Sequence, residues 1–269
     1  MIQKVLLLIF ILANIACATA APKKVLYFTH EPGRWHKYTP QLAEFQKIAK
    51  EAGWELTVST GTHNDQIKKL RDKDYSKGFD AIVYNFCFAG TKDLEACSNL
   101  IKQTEVNGVP AMLIHCSMHS WWATYRNGGA PVGVSKAKAS PKLIEAWKKA
   151  HPKEKFPVWG DFTGVASTKH GPKKPVQVVN VNKSHPALKN FKDYTTKANT
   201  ELYNNFYVTK DVIPLCEGVQ GKAKAIIMWE APRGKSSIIG LTIGHSVEDF
   251  SDAGFKVLLI DGLNYLMAK

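Results

Sequence analysis

Short, almost wholly apolar runs alternate with stretches that repeat apolar residues at helical spacing, and this alternation restricts the fold more than any other feature. Lys24–Thr29, Phe79–Phe86 and Pro110–Cys116 are such runs, and Trp54–Ser59 is strand-like. Between the first two strands, Thr39-Pro40 reads as a helix N-cap and first-turn proline. Leu42, Phe45 and Ala49 recur at helical spacing, and Gly53 closes the segment. Asp93–Val106 predicts another helix, burying Leu94, Cys97 and Ile101 and stopping near Gly108. A strand covered by helices on both faces reads as an unbroken apolar run, because neither face meets water. The pattern therefore predicts an α/β fold with a mostly parallel open sheet and helices on both faces.

The rest of the chain is less regular. Gly128–Pro141 and His151–Pro175 are rich in Gly, Pro, Lys and Ser, with a short helix expected over Lys142–Ala150. Val176–Val181 reads as a strand. Ala223–Glu230 and Ser236–Ile243 read as two strands joined through Pro232-Arg233-Gly234, and Phe255–Met267 as a closing helix. Neither a repeat nor a linker divides the chain, so the expectation is one domain over 21–269 with a long irregular insertion around 126–175.

Residues 1–20 are set aside as a leader. Met1–Lys4 is basic, Val5–Ile15 is almost wholly apolar, and Ala18-Thr19-Ala20 fits a signal-peptidase site. The run is too short for a membrane span, which takes about 20 apolar residues. The expectation is export to the periplasm or outside the cell, with no stable span once the leader is removed. Cys17 keeps a lipoprotein reading open, although Asn14 stands where a lipobox takes Leu. Cys87, Cys97, Cys116 and Cys216 have neither zinc-ribbon spacing nor knottin density. Three of them fall in or beside apolar runs, which favours buried free thiols.

The net charge of +13 invites a nucleic-acid reading. However, the lysines are scattered and no basic-aromatic recognition motif is present, so no nucleic-acid partner is expected. Attraction of anionic polymers outside the cell stays open. There is no phosphate loop or dinucleotide fingerprint, and hence no nucleotide-cofactor motif; Gly160-Asp161-Phe162-Thr163-Gly164 does not join a strand to a helix in the required way.

Open α/β sheets bind ligands beyond the carboxyl ends of their strands. Several expected strands end in polar residues: Thr29-His30 with His36 following, Asn85, His115-Cys116-Ser117-Met118-His119, and Gly244-His245-Ser246. A shared polarity gathers His30 or His36, His115, His119 and His245 at one rim. His115 and His245 each follow an apolar run directly, where imidazole can ligate a metal, move a proton or bond a sugar hydroxyl. His63, His151 and His170 read as surface residues, and His185 before Pro186 as part of a turn. Glu201 and Glu230 are the notable acids, each equally readable as a salt-bridged surface group. Cys116 sits at a strand-to-helix turn, but the flanking glycines of a nucleophile elbow are absent, which argues against covalent catalysis.

Taken together, these residues resemble the ThuA-like (trehalose-utilisation) family. The resemblance rests on Val25–Thr29 running on to Trp35-His36, Leu113-Ile114-His115-Cys116-Ser117, His185-Pro186 and Glu201-Leu202-Tyr203. It also rests on the order Arg233-Gly234-Lys235, Gly244-His245, Phe255 and a terminal helix. It implies a class I glutamine amidotransferase-like (flavodoxin-like three-layer) architecture, with about His115 standing where that fold carries a nucleophilic Cys. It also implies disaccharide or 3-keto-sugar metabolism. Catalytic candidates are His115, Glu201 and His245; substrate-binding candidates are His36, His119, Trp121 and Trp122. The tryptophan pair reads either as a sugar-stacking surface or as core. The strand-end histidines with Glu201 can assemble a divalent-metal site, although no helical His-Glu-x-x-His motif supports one. Acid–base or metal-assisted chemistry on a carbohydrate stands beside a non-catalytic module binding a carbohydrate or an anionic polymer. Neither the reaction nor the oligomeric state follows from the residues.

Overall fold

The computed structural model describes residues 21–121, 140–197 and 200–269. The leader, Trp122 and residues 126–139 of the expected insertion lie outside the described residues. The chain begins with β1 (Lys24–Phe28), α1 (Tyr38–Glu51), β2 (Glu55–Ser59), α2 (His63–Leu70), β3 (Ala81–Tyr84), α3 (Leu94–Glu105) and β4 (Ala111–Ile114). A 3-10 turn, His115–His119, follows β4. Then come α4 (Pro141–Ala150), α5 (Trp159–Thr163), β5 (Val165–Ala166), β6 (Gln177–Asn180), β7 (Tyr194–Thr195), β8 (Tyr207–Val208) and β9 (Ile213–Gln220). The chain closes with β10 (Ala223–Arg233), β11 (Ser236–Leu241), α6 (Val247–Ser251) and α7 (Ala253–Ala268).

Among the described residues a nine-stranded sheet runs in the order β2-β1-β3-β4-β11-β10-β9-β6-β7. The pairs from β2 to β11 are all parallel, and those from β11 to β7 are antiparallel. The sheet is therefore mixed, with a parallel half that carries the expected polarity. Strand order reverses at β1, whose neighbours are β2 and β3. Connections leave β1 and β3 toward opposite faces there, and a crevice opens beyond the strand ends.

Alternation along each strand separates two cores. Val25, Tyr27, Val83, Met112, Ile114 and Ile239 pack with Phe45 and Ile48 of α1 and Leu258 and Leu259 of α7. Leu26, Phe28, Ile82, Leu113 and Ile238 pack on the other face with Ile67, Leu100, Trp159 and Phe162. Helices α1 and α7 thus cover one face, and α2, α3 and α5 the other.

Several expectations needed adjustment. Helix α1 starts at Tyr38, so Thr39 lies in its first turn rather than at the cap; the Thr39 N–H donates to the Glu31 carboxylate at 2.5 Å. Helix α2 was not foreseen. It is short and mostly polar, begun by a Thr62/Asp65 capping box and held down by Gln66, Ile67 and Leu70. Strand β9 was missed because it contains Pro214 and Gly218. Pro214 is tolerated beside an irregularity in the pairing of β9 with β10, whose register shifts between Met228 and Trp229. The four cysteines of the described residues are buried and free.

Candidate functional site

Strand β4 ends at Ile114, and the backbone turns at once: His115 has φ +47°, in the left-handed region. A non-glycine residue there costs on the order of 1–3 kcal/mol. The absence of flanking glycines had argued against a sharp elbow, and the structure corrects this, because the turn is made at His115 itself. Its ring is held from behind: Nδ1–H donates to the Thr242 carbonyl at 2.5 Å. That bond places a proton on Nδ1 and turns Nε2 toward Glu201 and His245. The Tyr203 hydroxyl and His115 Nε2 are hydrogen-bonded at 3.1 Å.

The second histidine arrives from β11. Gly244, at φ +110°, lets the chain leave the sheet; a Cβ there would lie 3.0 Å from Ile114 Cγ2 and 3.0 Å from Phe255 Cζ. His245 Nδ1 then lies 3.2 Å from His115 Nε2. Glu201 Oε2 is 3.5 Å from His115 Nε2 and 3.4 Å from His245 Nδ1. His36 comes from the loop after β1 and donates through Nδ1 to the His245 carbonyl at 3.2 Å, leaving its Nε2 as the acceptor nitrogen. The ligand nitrogens of His36, His115 and His245 lie within 4.8 Å of one another. A buried amide chain braces this end of the sheet. Asn85 donates to Gln41 at 2.9 Å, and Gln41 donates to the carbonyls of Gly244 and His245 at 3.3 and 3.1 Å.

Of the residues singled out in the sequence, His36, His119, Glu201 and His245 line one cleft of about 880 Å³, and His115 is buried behind them beside Glu201 and His245. His119 stacks on Tyr203 with ring centroids 4.4 Å apart. Trp121 is a correction: it is fully buried, its Nε1–H bonds the Asp93 carbonyl at 2.7 Å, and its ring meets Trp159, so it is core rather than a sugar platform. Trp122 lies outside the described residues. The exposed aromatic at the cleft is Trp35. His30 points instead between Tyr38 and Phe88. Glu230 is a buried acid rather than a surface one, bonded by His185 and Tyr265 at 3.0 and 2.9 Å, and by Lys269.

His170 was read as a surface residue and is indeed 44% exposed, yet its Nε2 lies 3.5 Å from Glu201 Oε1 at the mouth of the cleft. Lys173 Nζ lies 3.6 Å from the same oxygen. The only signal for this pair was their position in an irregular Gly/Pro/Lys-rich stretch, which carries no periodicity to read.

Electrostatics sort these groups. Burial pushes the Glu201 carboxyl up, but hydrogen bonds and charge from His115 and His245 outweigh it and hold the carboxyl far below the usual range. Glu201 is thus a carboxylate at any ordinary pH. Burial, then the neighbouring His115 and His245, lowers His36 to about 3. Burial lowers His119 to about 3 as well. Both rings stay neutral and keep a lone pair. Burial raises the Tyr203 phenol well above its ordinary value, so it remains a donor. Contact with Cys87, and then burial, raises the Cys116 thiol, which leaves no thiolate for attack at neutral pH.

Imidazoles converging on an ionised carboxylate form the donor set of a transition-metal centre. The geometry fits. A tetrahedral ion with ligand distances of about 2.0–2.1 Å sets its donors about 3.3 Å apart. His115 Nε2, His245 Nδ1 and Glu201 Oε2 form a triangle with edges of 3.2, 3.4 and 3.5 Å. The His115 Nδ1–H bond to a backbone carbonyl is the outer contact that ligating histidines commonly make.

Comparison with solved structures follows the same lines. A protein from Bacteroides uniformis described as ThuA-like superposes with a TM-score of 0.62 at 18% identity, covering 94% of each chain. One from Parabacteroides merdae, described in the same way, gives 0.66 at 12% identity, covering 92% of this chain and 90% of that one. The chain has the fold of these two proteins. At the level of fold, the ThuA-like resemblance read in the sequence therefore holds. No protein-family profile matches the chain, and no curated protein matches it.

Proposed function

We propose that this chain is an exported member of the ThuA-like family, with one amidotransferase-like domain over 21–269. It acts on a carbohydrate through a centre of His36, His115, His245 and Glu201 that holds a divalent metal ion. The observation that carries this reading is the near-equilateral triangle of His115 Nε2, His245 Nδ1 and Glu201 Oε2. A divalent ion there supplies positive charge that polarises a substrate oxygen. The chain's own groups do the rest. Tyr203, kept protonated, offers its O–H beside His115 Nε2. His170 Nε2, at the open side of Glu201, is placed to take or return a proton exchanged with solvent. Trp35 offers an exposed ring face at the rim, and apolar sugar faces suit aromatic surfaces.

Metal content of untagged protein purified without chelator, combined with a screen of disaccharides and their 3-keto derivatives, tests the reading. One stoichiometric ion, lost in His115→Ala, is expected. Turnover should fall at least about a hundredfold in His115→Ala and in His245→Ala. Full activity in the double variant contradicts it. Protein N-terminal sequencing should begin at Ala21; cytoplasmic protein retaining Met1 contradicts export. The exposed Trp35 and the lysines at the rim favour one other reading, a binding module. That reading predicts sugar binding unchanged when His115 and His245 are both replaced.

A further inference from the structure

We propose that the cleft selects a saccharide bearing an anionic group, a carboxylate or a sulfate ester; this rests on the carbohydrate reading above and names its substrate class. The charge of the cleft wall points to it. Arg34, Lys92, Lys169 and Lys173 line the cleft, and Glu201 is the one carboxylate among its lining residues. Glu201 is already committed to His115 and His245. Among the described residues no carboxylate lies within ion-pair distance of Arg34, Lys92 or Lys169, whereas Lys173 reaches Glu201 at 3.6 Å.

An overall excess of lysine does not account for this. A second cleft, about 530 Å³, also carries four cations, Lys102, Lys153, Lys155 and Arg233. Four acids, Glu105, Glu154, Asp161 and Asp211, balance them. Lys102 pairs with Glu154 at 2.8 Å, and Arg233 pairs with Asp211. Opposite charges are interspersed there; around the histidine centre they are not.

The cations arrive on three separate loops. Arg34 follows β1, Lys92 follows β3, and Lys169 and Lys173 lie between β5 and β6. Their convergence surrounds a concavity whose size suits a small molecule, roughly 300–1,000 Å³, rather than forming the stripe that tracks a nucleic-acid backbone. The Arg34 guanidinium sits 4.8 Å above the Trp35 ring, and that ring is 53% exposed. An aromatic face beside a cation suits a sugar ring carrying a negative substituent, because the apolar ring face and the anion are met together.

Calorimetric titration tests this with five probes: a glucuronate-containing disaccharide, a sulfated disaccharide, the neutral counterpart of each, and inorganic sulfate. The proteins are the wild type and the triple variant Arg34→Gln/Lys92→Gln/Lys169→Gln. An anionic probe should bind wild type at least about tenfold more tightly than its neutral counterpart. Exposed charge pairs contribute roughly 0.2–1 kcal/mol each, and three such contacts act together. The preference should vanish in the triple variant and shrink between about 50 and 500 mM salt. The arm that shows it identifies the anion. Equal binding of charged and neutral probes overturns the inference while leaving the carbohydrate reading standing. A preference that survives in the triple variant overturns it too, as does inorganic sulfate binding as tightly as the sulfated sugar. Binding of no probe overturns both readings.

Discussion

Replacing Glu201 by Gln keeps the shape of the side chain and removes its charge, which makes it a sharp probe of the centre. A glutamine amide offers both a donor N–H and an acceptor oxygen to the His115 and His245 nitrogens that the carboxylate now approaches at 3.5 and 3.4 Å, so the metal-free fold should persist. Metal affinity should not. Loss of a mere outer-shell partner costs about 10–100-fold, so loss of a charged ligand should cost at least about a hundredfold, or ~2.7 kcal/mol. An ion present at 100 times its Kd stabilises the folded state by about 2.7 kcal/mol, and at once its Kd by only about 0.4 kcal/mol. The variant should therefore lose about 2.3 kcal/mol of metal-induced stability. In a chain of this size that corresponds to a Tm difference of roughly 5–9 °C. Thermal unfolding of chelator-treated protein, with and without Zn²⁺ at 100 times the wild-type Kd, reads this directly. Equal metal-induced shifts in wild type and Glu201→Gln would refute the assignment of Glu201 as a ligand.

Other consequences follow from particular side chains. Cys116→Ala should keep turnover within about tenfold, because the thiol is buried against Cys87 and held protonated; complete inactivation of folded protein with a covalent adduct trapped on wild-type Cys116 contradicts this. Burial, and then the neighbouring His63, lowers His30 to about 4. Between pH 6.5 and 4 the unfolded chain takes up a proton that the folded ring refuses, so stability falls as pH falls through that window. Urea unfolding at pH 7 and pH 4.5 should therefore show His30→Phe, set between Tyr38 and Phe88, sparing about 2–3 kcal/mol of the wild-type loss; an identical loss in both proteins contradicts it. Gly240→Ala would place a Cβ 2.1 Å from the Trp229 ring, so chemical denaturation should show at least about 1–3 kcal/mol of destabilisation; wild-type stability contradicts it.

The part of the site that was legible lies where strand pattern fixes position. His115 and His245 each follow an apolar run, and two parallel strands present their carboxyl ends on one side, so β4 and β11 bring the rings together. His36 needed only the same polarity for β1. Glu201 and Tyr203 were reached through the family motif, because the segment around them has no periodicity to reveal its path. His170 was missed for the same reason, and its exposure makes it look like any solvated histidine. Trp121 misled because an aromatic residue just past a strand end looks accessible, whereas its indole N–H had an internal carbonyl to meet. The elbow at His115 was hidden by a rule about glycine. Histidine tolerates the left-handed region better than most residues, and the Thr242 carbonyl holds its ring once the turn is made. On the antiparallel side β6 was legible as the run Val176–Val181, whereas Pro214 and Gly218 hid β9 by interrupting its apolar pattern.

Anomalous diffraction from crystals grown with Zn²⁺, recorded on both sides of the zinc edge, tests the central claim most directly. The account predicts one strong peak about 2.0–2.2 Å from His115 Nε2, His245 Nδ1 and a Glu201 oxygen, with His36 as the further donor. A map with no peak among these atoms, and the three residues hydrogen-bonded to one another instead, would contradict it.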